Sequence, residues 1–129
     1  PWDYDVLVME NMFGDILSDL AGGLVGGMGM AACGEIGDDH ALFQPAHGSA
    51  PDIMGQDKAN PLATILSGAL MLDWLGERSG NDSLGKAALA IEEAVETAFS
   101  VGKLRPMEFG GDQGTQAATA AVISTLKTT

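Results

Sequence analysis

Apolar residues recur at the spacing of one helix face over much of the second half of this 129-residue chain, which favours a helix-rich fold there. The first helix is predicted to start at Asn60-Pro61, because Asn caps helix starts and Pro suits the first helical position. It runs to about Leu75, and Gly76 is predicted to end it. The polar residues 77–83 then form a predicted solvent loop. The predicted core positions of this helix are Leu62, Ile65, Leu66, Ala69 and Leu72.

Two further helices are predicted downstream. One runs from about Leu84 to Ser100, and the other follows Thr115, after a turn at Gly110-Gly111-Asp112. Their predicted inward residues are Ala88, Ile91, Val95, Ala98 and Phe99 in the first and Ala118, Val122 and Leu126 in the second. With 46% hydrophobic residues, the chain belongs with globular proteins and is long enough for one modest core.

The first half mixes strand and helix signals, so the predicted fold class is α/β. Tyr4 to Met9 reads as a short buried strand, because its centre is an unbroken apolar run. A helix is predicted from about Gly14 to Val25, and a second short strand from Ala41 to Gln44. Between them, Gly22 to Gly37 is either closely packed backbone or a flexible crossing between domains. His47 to Lys58 is predicted to be a loop.

Charge and cysteine content exclude several classes of protein. Six basic and eighteen acidic residues give a net charge of −12, which argues against binding to nucleic acid or to an anionic membrane surface. The single cysteine, Cys33, excludes an internal disulfide and fits a reducing compartment, so a cytoplasmic location is expected. The chain contains neither a membrane-length apolar stretch nor a signal-peptide pattern. Since it does not begin with Met, we expect the start of the natural protein to be missing.

Asp15 and Asp19 lie four residues apart at the start of an apolar-periodic segment. On a helix they share one face at about 5–6 Å, and two ionised carboxylates there repel each other. Mg²⁺ or Mn²⁺ would reverse the sign of that interaction, because both cations prefer carboxylate oxygens. Gly22, one turn further, is predicted to leave this face open to a ligand. A solvated helix face is the alternative, and two carboxylates are too few for a complete cation site.

Two glycine-containing segments are candidates for nucleotide contact. Gly27 to Ala32 matches G-x-G-x-x-A, but it follows a predicted helix and opens none, so we reject a Rossmann fingerprint. The loop His47 to Gly55 is either a capped surface loop or a cofactor loop. In it, Asp52 could accept hydrogen bonds from a ribose diol and would repel a 2′-phosphate. His47 is either a satisfied loop histidine or an aromatic partner for an adenine ring.

Several of these segments together resemble the β-decarboxylating dehydrogenases, which include isocitrate, isopropylmalate, homoisocitrate and tartrate/malate dehydrogenases. NMFGDILSD with LAGGLVGGMGM is similar to the family signature, and ALFQPAHGSAPDIMGQDKANP resembles its cofactor loop. ILSGALMLDWLGE and GGDQGTQAATAAVISTL are similar to its last helices. The resemblance covers essentially the whole chain in the family's order. It implies a fragment of the isocitrate/isopropylmalate dehydrogenase fold, a dinucleotide-binding fold distinct from the Rossmann fold.

The resemblance implies a domain division and a metal site. Residues 1–26 would end the smaller, dimer-forming domain, and residues 27–129 would form the C-terminal part of the cofactor-binding domain. Asp15 and Asp19 would ligate Mg²⁺ or Mn²⁺, with a third Asp from an upstream segment across a homodimer interface. That interface would involve the helix near residues 14–25. The substrate-binding arginines and the Tyr and Lys acid–base residues of the family would also lie upstream.

The resemblance also implies a dinucleotide site. The residues matched to cofactor contacts are Asn11, His47, Gly48, Ser49, Ala50, Pro51, Asp52, Ile53 and Asn60. Among them, Asn11 matches a position near nicotinamide and Asn60 one near adenine. Asp52 and Ile53 match the pair that favours NAD, where NADP-preferring members carry Lys and Tyr.

The implied reaction is the oxidative decarboxylation of a 2-hydroxy acid that bears a β-carboxylate. Hydride leaves C2 for NAD⁺, the cation polarises the keto oxygen, and loss of CO₂ gives an enolate. The glycine pattern of residues 22–27 and the segment Gly34 to Asp38 look nearer the isocitrate and homoisocitrate branches. Without the upstream residues the chain alone is expected to be inactive. The alternative is a nucleotide- or metal-binding fragment without enzyme activity.

Overall fold

The computed structural model describes residues 3–127, which form four helices and one two-stranded sheet. The helices and strands, in chain order, are α1 (Asn11–Leu24), β1 (Ala32–Ile36), β2 (Ala41–Pro45), α2 (Leu62–Ser79), α3 (Asp82–Ser100) and α4 (Thr115–Leu126). Short 3₁₀ turns occupy Pro51–Ile53 and Met107–Phe109. The mixture of helix and sheet agrees with the predicted class, and the three downstream helices are confirmed.

The hydrophobic core lies between α2, α3 and α4. Its buried residues are Leu62, Ala94, Val95, Ala98, Leu104, Ala118 and Val122. Most of them occupy predicted inward positions, because the helical period alone brings them to one face. Leu62 and Leu104 are fully buried, and each contributes about 1.5–3 kcal/mol by removing its side chain from water. The α2 helix therefore enters the core at its first residue, directly after the loop that precedes it.

The α2 helix continues past its predicted end. Gly76 lies inside α2 and is buried, and a Cβ there would lie 3.0 Å from the backbone nitrogen of Gly85. Gly76 is thus a close-contact residue between α2 and α3, and its prediction as a helix end was wrong. The helix ends at Gly80, which adopts the left-handed conformation at φ 66°. The predicted loop 77–83 is correspondingly shorter, because Asn81 accepts a hydrogen bond from the backbone N–H of Ser83 and caps α3.

The sheet is a hairpin that packs against α2. Strands β1 and β2 are antiparallel, with Cys33 opposite Gln44. The second strand was predicted, whereas β1 lies in the glycine-rich segment that gave no strand signal. Phe43 contacts Trp74 of α2 with ring centroids 6.0 Å apart, and the Arg78 guanidinium lies over the same indole. Arg78 also donates to the Asp38 carbonyl oxygen, so the hairpin turn is fixed to the end of α2.

The predicted strand Tyr4–Met9 is wrong. Residues 6–10 adopt no regular structure, and Val6, Leu7 and Val8 are 78%, 61% and 93% exposed. A buried strand needs neighbouring strands on both sides, and in residues 3–127 the two strands of the sheet pair with each other. The apolar run therefore has no strand to pair with among the described residues.

The α1 helix starts at Asn11, three residues before its predicted start at Gly14. Its large apolar residues Ile16, Leu17, Leu20 and Leu24, which recur at helical spacing, are all exposed to solvent. The single buried residue of α1 is Gly22. A Cβ added to Gly22 would lie 3.6 Å from the Cβ of Ala31. The expectation that Gly22 leaves its face open to a ligand was therefore wrong, because the chain after α1 folds back onto it.

Among residues 3–127, no helix is both long and apolar enough to cross a membrane.

Candidate functional site

Asp15 and Asp19 line a cleft of about 420 Å³ between α1 and the hairpin. Both carboxylates are exposed, and Ser18 lies between them on the same wall. The Ser18 hydroxyl donates to the Asp15 carbonyl oxygen at 3.1 Å, so it is tied to the helix backbone. The helical spacing predicted for the two carboxylates is thus confirmed, and they face a concave surface.

The opposite wall of this cleft comes from the hairpin and contains Cys33, Glu35 and Gln44. The Gln44 side-chain amide donates to a Glu35 carboxylate oxygen at 2.9 Å, so that carboxylate already has a partner. In the part of the chain that the structure describes, no group of three His, Cys, Asp or Glu side chains is arranged to hold a metal ion. Two carboxylates are too few for a complete Mg²⁺ or Mn²⁺ site, so a cation at Asp15 and Asp19 would need further oxygen ligands.

A larger cleft of about 630 Å³ lies on the other side of the His47 loop. Six of the predicted cofactor residues line it: His47, Gly48, Ser49, Ala50, Ile53 and Asn60. Asn11, Pro51 and Asp52 line neither cleft. Asn11 is at the start of α1, and Asp52 is an exposed residue of the 3₁₀ turn whose carbonyl oxygen accepts from Gln56.

The loop before α2 contains one strained residue and one glycine with open space beside it. Ala50 adopts the left-handed conformation at φ 43°, which costs a non-glycine residue roughly 1–2 kcal/mol. Gly48, two residues before Ala50, has open space where a side chain would be, so a ligand can approach the backbone there. At the end of the loop, the Asn60 side-chain oxygen accepts from the backbone N–H of Leu62 at 3.1 Å. The α2 helix nevertheless starts one residue later than predicted: Pro61 is its N-cap and provides no side-chain cap, and Asn60 accepts from the first helical N–H from the position before it.

The two clefts adjoin. Met28, His47 and Gly48 line both of them, so these residues form the ridge between the carboxylate cleft and the larger cleft. A ligand in the larger cleft that extends past His47 therefore reaches the cleft that contains Asp15 and Asp19.

Several residues of the larger cleft were not predicted from the sequence. They are Met28, Gly29, Lys58, Ala59, Met107 and Glu108. Glu108 is the least expected, because it lies in a 3₁₀ turn 79 residues after Gly29. Its carboxylate accepts a hydrogen bond from the Gly29 N–H. The segment Gly27 to Ala32 forms turns and then enters β1 without opening a helix, so the rejection of a Rossmann fingerprint is confirmed.

The loop that carries Lys58 and Ala59 is fixed to the start of α4. A carboxylate oxygen of Asp57 accepts from the backbone N–H of Gln116 at 2.9 Å, and the Thr115 hydroxyl donates to the Ala59 carbonyl oxygen. Asp57 thus caps α4 from a distant part of the sequence. One wall of the larger cleft is consequently held by the same helix that contributes to the core.

Comparison with known proteins identifies a common family. A family profile described as isocitrate/isopropylmalate dehydrogenase matches residues 1–126. The isocitrate/homoisocitrate dehydrogenase of Thermus thermophilus is 52% identical over 127 residues, which cover 98% of this chain and 36% of the relative. The 3-isopropylmalate/3-methylmalate dehydrogenase of Methanocaldococcus jannaschii is 50% identical over 115 residues, covering 89% and 32%.

Solved structures agree with the sequence comparison. The crystal structure of isocitrate dehydrogenase from Methylococcus capsulatus superposes with a TM-score of 0.84 at 43% identity, over 98% of this chain and 36% of that one. The chain thus spans about a third of the length of the relatives that it matches.

Proposed function

We propose, since the chain belongs to the isocitrate/isopropylmalate dehydrogenase family, that it supplies the cofactor cleft and two metal carboxylates of an NAD-dependent β-decarboxylating dehydrogenase. The substrate would be a 2-hydroxy acid that bears a β-carboxylate. Isocitrate, homoisocitrate and 3-isopropylmalate appear in the names of relatives. The proposed reaction couples oxidation at C2 to loss of CO₂, and it needs the cofactor and the metal close together.

The observation that carries this proposal is the adjacency of the two clefts. The larger cleft has the loop backbone and the volume suited to a nucleotide, and the smaller cleft has the paired carboxylates. His47 and Gly48 border both. A dinucleotide bound along the loop would direct one end toward Asp15 and Asp19, where a hydride acceptor is required.

The chain's own residues would divide the work between holding the cation and holding the cofactor. Asp15 and Asp19 present hard oxygen donors from one helix face, which suits Mg²⁺ or Mn²⁺. When bound, the cation supplies Lewis-acid polarisation of the keto oxygen, and the nicotinamide accepts the hydride. Residues His47 to Ala50 would hold the adenosine portion, with Asn60 at its far end and Asn11 toward the nicotinamide.

The proposed assembly is a homodimer. The exposed apolar residues of α1, including Ile16 and Leu20, support an interface along this helix. We place residues 1–26 in the smaller, dimer-forming domain and residues 27–129 in the cofactor-binding domain. A third carboxylate from the partner would then complete the cation site at Asp15 and Asp19.

The residues around the carboxylate cleft argue that the 129-residue chain alone does not turn over substrate. No Lys or Arg of residues 3–127 lines this cleft, although a substrate with two or more carboxylates needs cations to hold it. The one tyrosine of the chain, Tyr4, is 71% exposed and lines neither described cleft. A fragment that binds nucleotide or metal without catalysis is therefore the second candidate function.

Calorimetry combined with a turnover assay tests the proposal. We expect the purified chain to bind NAD with a Kd no weaker than about 1 mM, the upper end of common KM values. We expect weak Mn²⁺ binding and no reduction of NAD with isocitrate, homoisocitrate or 3-isopropylmalate. NAD reduction by the chain alone would contradict the assignment of the missing acid–base groups to another segment. Failure to bind NAD in the folded chain would contradict the assigned cofactor cleft.

Cofactor choice provides a separate prediction. Asp52 is exposed next to Ile53, and Ile53 lines the larger cleft. A carboxylate there repels a 2′-phosphate, so we expect the double substitution Asp52→Lys with Ile53→Tyr to shift the preference from NAD toward NADP by about tenfold or more, the equivalent of roughly 1.4 kcal/mol. Titration of each variant with both dinucleotides measures the ratio of Kd values.

Asp112→Lys makes the same charge change at an exposed residue that lines neither cleft, and we expect it to leave that ratio unchanged. An unaltered ratio in the double variant would count against the role of Asp52.

A further inference from the structure

The Glu108 carboxylate bridges two walls of the larger cleft. One of its oxygens accepts from the backbone N–H of Gly29 at 3.2 Å. The other accepts from the side-chain amide of Asn60 at 2.8 Å. All three residues line the cleft, although they come from the turn after α1, the start of α2 and the 3₁₀ turn before α4. We call this arrangement the Glu108 bridge.

The bridge fixes the orientation of the Asn60 amide. Its oxygen accepts from the N–H of Leu62, and its nitrogen donates to Glu108. A flipped amide would place a nitrogen against the Leu62 N–H and an oxygen against a carboxylate, so both contacts would become unfavourable. The orientation that accepts from Leu62 at the start of α2 is therefore the same orientation that engages Glu108.

The bridge also accounts for the glycines of the turn after α1. A Cβ on Gly29 would overlap the Glu108 carboxylate, and one on Gly27 would lie 2.9 Å from it. The Gly29 peptide is held from both sides, because its carbonyl oxygen accepts from the N–H of Ala63 at 2.9 Å. The G-x-G pattern thus makes room for a carboxylate from the protein, and this turn is fixed to the first residues of α2.

We propose that Glu108 is a positioning residue for the nucleotide cleft: it holds the Gly29 turn and the Asn60 amide at a fixed separation, so that the cleft is preformed for the dinucleotide. This inference rests on the proposed function of the cleft. Walls that are already in place before binding lose little conformational freedom when the ligand arrives, which improves affinity. Hydrogen bonds to an ionised carboxylate are stronger than neutral ones, which suits a bridge at an exposed position.

Two substitutions break the bridge and their combination rebuilds it. In E108Q, the single amide oxygen can accept from only one of the two donors, so the NH₂ group faces either the Asn60 amide or the Gly29 N–H and two donors meet there. In N60D, two carboxylates face each other. In E108Q/N60D, the introduced amide donates to the introduced carboxylate, the latter still accepts from Leu62, and the Gly29 N–H keeps its acceptor. The double variant has the same hydrogen-bond pattern and the same net charge as the original chain.

Titration of the full 129-residue chain with NAD, alongside thermal melting, tests the bridge. We expect the Kd for NAD to rise about tenfold in E108Q and in N60D, and to return to within about threefold of the original value in E108Q/N60D. E96Q, on the exposed face of α3, should leave the Kd unchanged. A lower Tm with an unchanged Kd in E108Q would overturn the positioning role, as would a double variant that binds no better than the single ones. If the original chain and all variants melt cooperatively yet fail to bind NAD, the proposed function itself is wrong and this role falls with it.

Discussion

Gly114→Ala is expected to lower the free energy of unfolding by about 3 kcal/mol or more. A Cβ at the buried Gly114 would overlap the backbone carbonyl oxygen of Asp57. Backbone atoms cannot move aside as a flexible side chain can, so the loop that contains Asp57 must shift away from α4. That shift breaks the Asp57 cap on Gln116 and the hydrogen bond from Thr115 to Ala59, each of which contributes about 1 kcal/mol.

Gly68→Ala is the matched control. Gly68 lies within α2, and a Cβ there would have no neighbour within 4 Å. Since alanine forms helices better than glycine, we expect this variant to be more stable by about 0.5–1 kcal/mol. Urea unfolding of the two variants measures both values. A loss below about 1 kcal/mol in Gly114→Ala would contradict the close contact between the loop and α4.

The same loop carries Lys58 and Ala59 into the larger cleft, so the stability of α4 and the shape of the cleft are linked. This link could not be read from the sequence. Asp57 and Gln116 are 59 residues apart, and neither belongs to a pattern that points to the other. Asp57 also adopts a positive φ of 54°, a conformation that aspartate tolerates better than most residues but that its sequence does not require.

Helical periodicity predicted the buried core residues well, because the core of this chain is formed by helices that pack on one another. Leu62 and Val122 are buried as predicted, since each lies on the apolar face of its helix. Gly76 misled the prediction for a physical reason: glycine ends helices, but it also lets two helices approach closely. Which of the two applies depends on α3, whose position the local sequence around Gly76 does not specify.

The N-terminal segment shows the opposite case. Val6 to Val8 have the composition of a buried strand, yet they are exposed in this chain. Composition describes the environment for which a segment is suited, whereas pairing requires neighbouring strands. The same reasoning applies to the apolar residues of α1, which are likewise exposed in this chain.

The candidate site was predictable where a motif is continuous and unpredictable where it is assembled from distant segments. The loop residues His47 to Ala50 and the carboxylates of α1 lie in two short segments, and the structure brings their clefts together. Glu108 is a single acidic residue without a local pattern around it. Its role depends on the approach of the Gly29 turn and the start of α2, which arises only from the folded core.

The largest functional effect is expected at Asp15 and Asp19. A chimera tests it, in which this chain replaces the matching 36% of the isocitrate/homoisocitrate dehydrogenase of Thermus thermophilus, to which it is 52% identical. We expect the rest of the relative to supply the cations that hold the substrate carboxylates and the third metal carboxylate, which the family resemblance assigns to an upstream segment. Loss of one metal carboxylate removes several kcal/mol of stabilisation of the developing negative charge, so Asp15→Asn or Asp19→Asn should lower kcat/KM by roughly 10²–10⁴-fold.

The Mn²⁺ dependence of activity in the two variants distinguishes a carboxylate that binds the cation from one that only lies near it. If Asp19 binds the cation, the Mn²⁺ concentration needed for half-maximal activity should rise in Asp19→Asn, whereas the exposed α3 control Glu92→Gln should match the unaltered chimera in both readouts. Because the two carboxylates share one helix face and one cleft, a metal ligand pair also predicts strong non-additivity: once one is lost, removal of the other costs little more. Activity within fivefold of the unaltered chimera would show that the pair is a solvated helix face, and large but additive losses would show that the two carboxylates do not act on one cation.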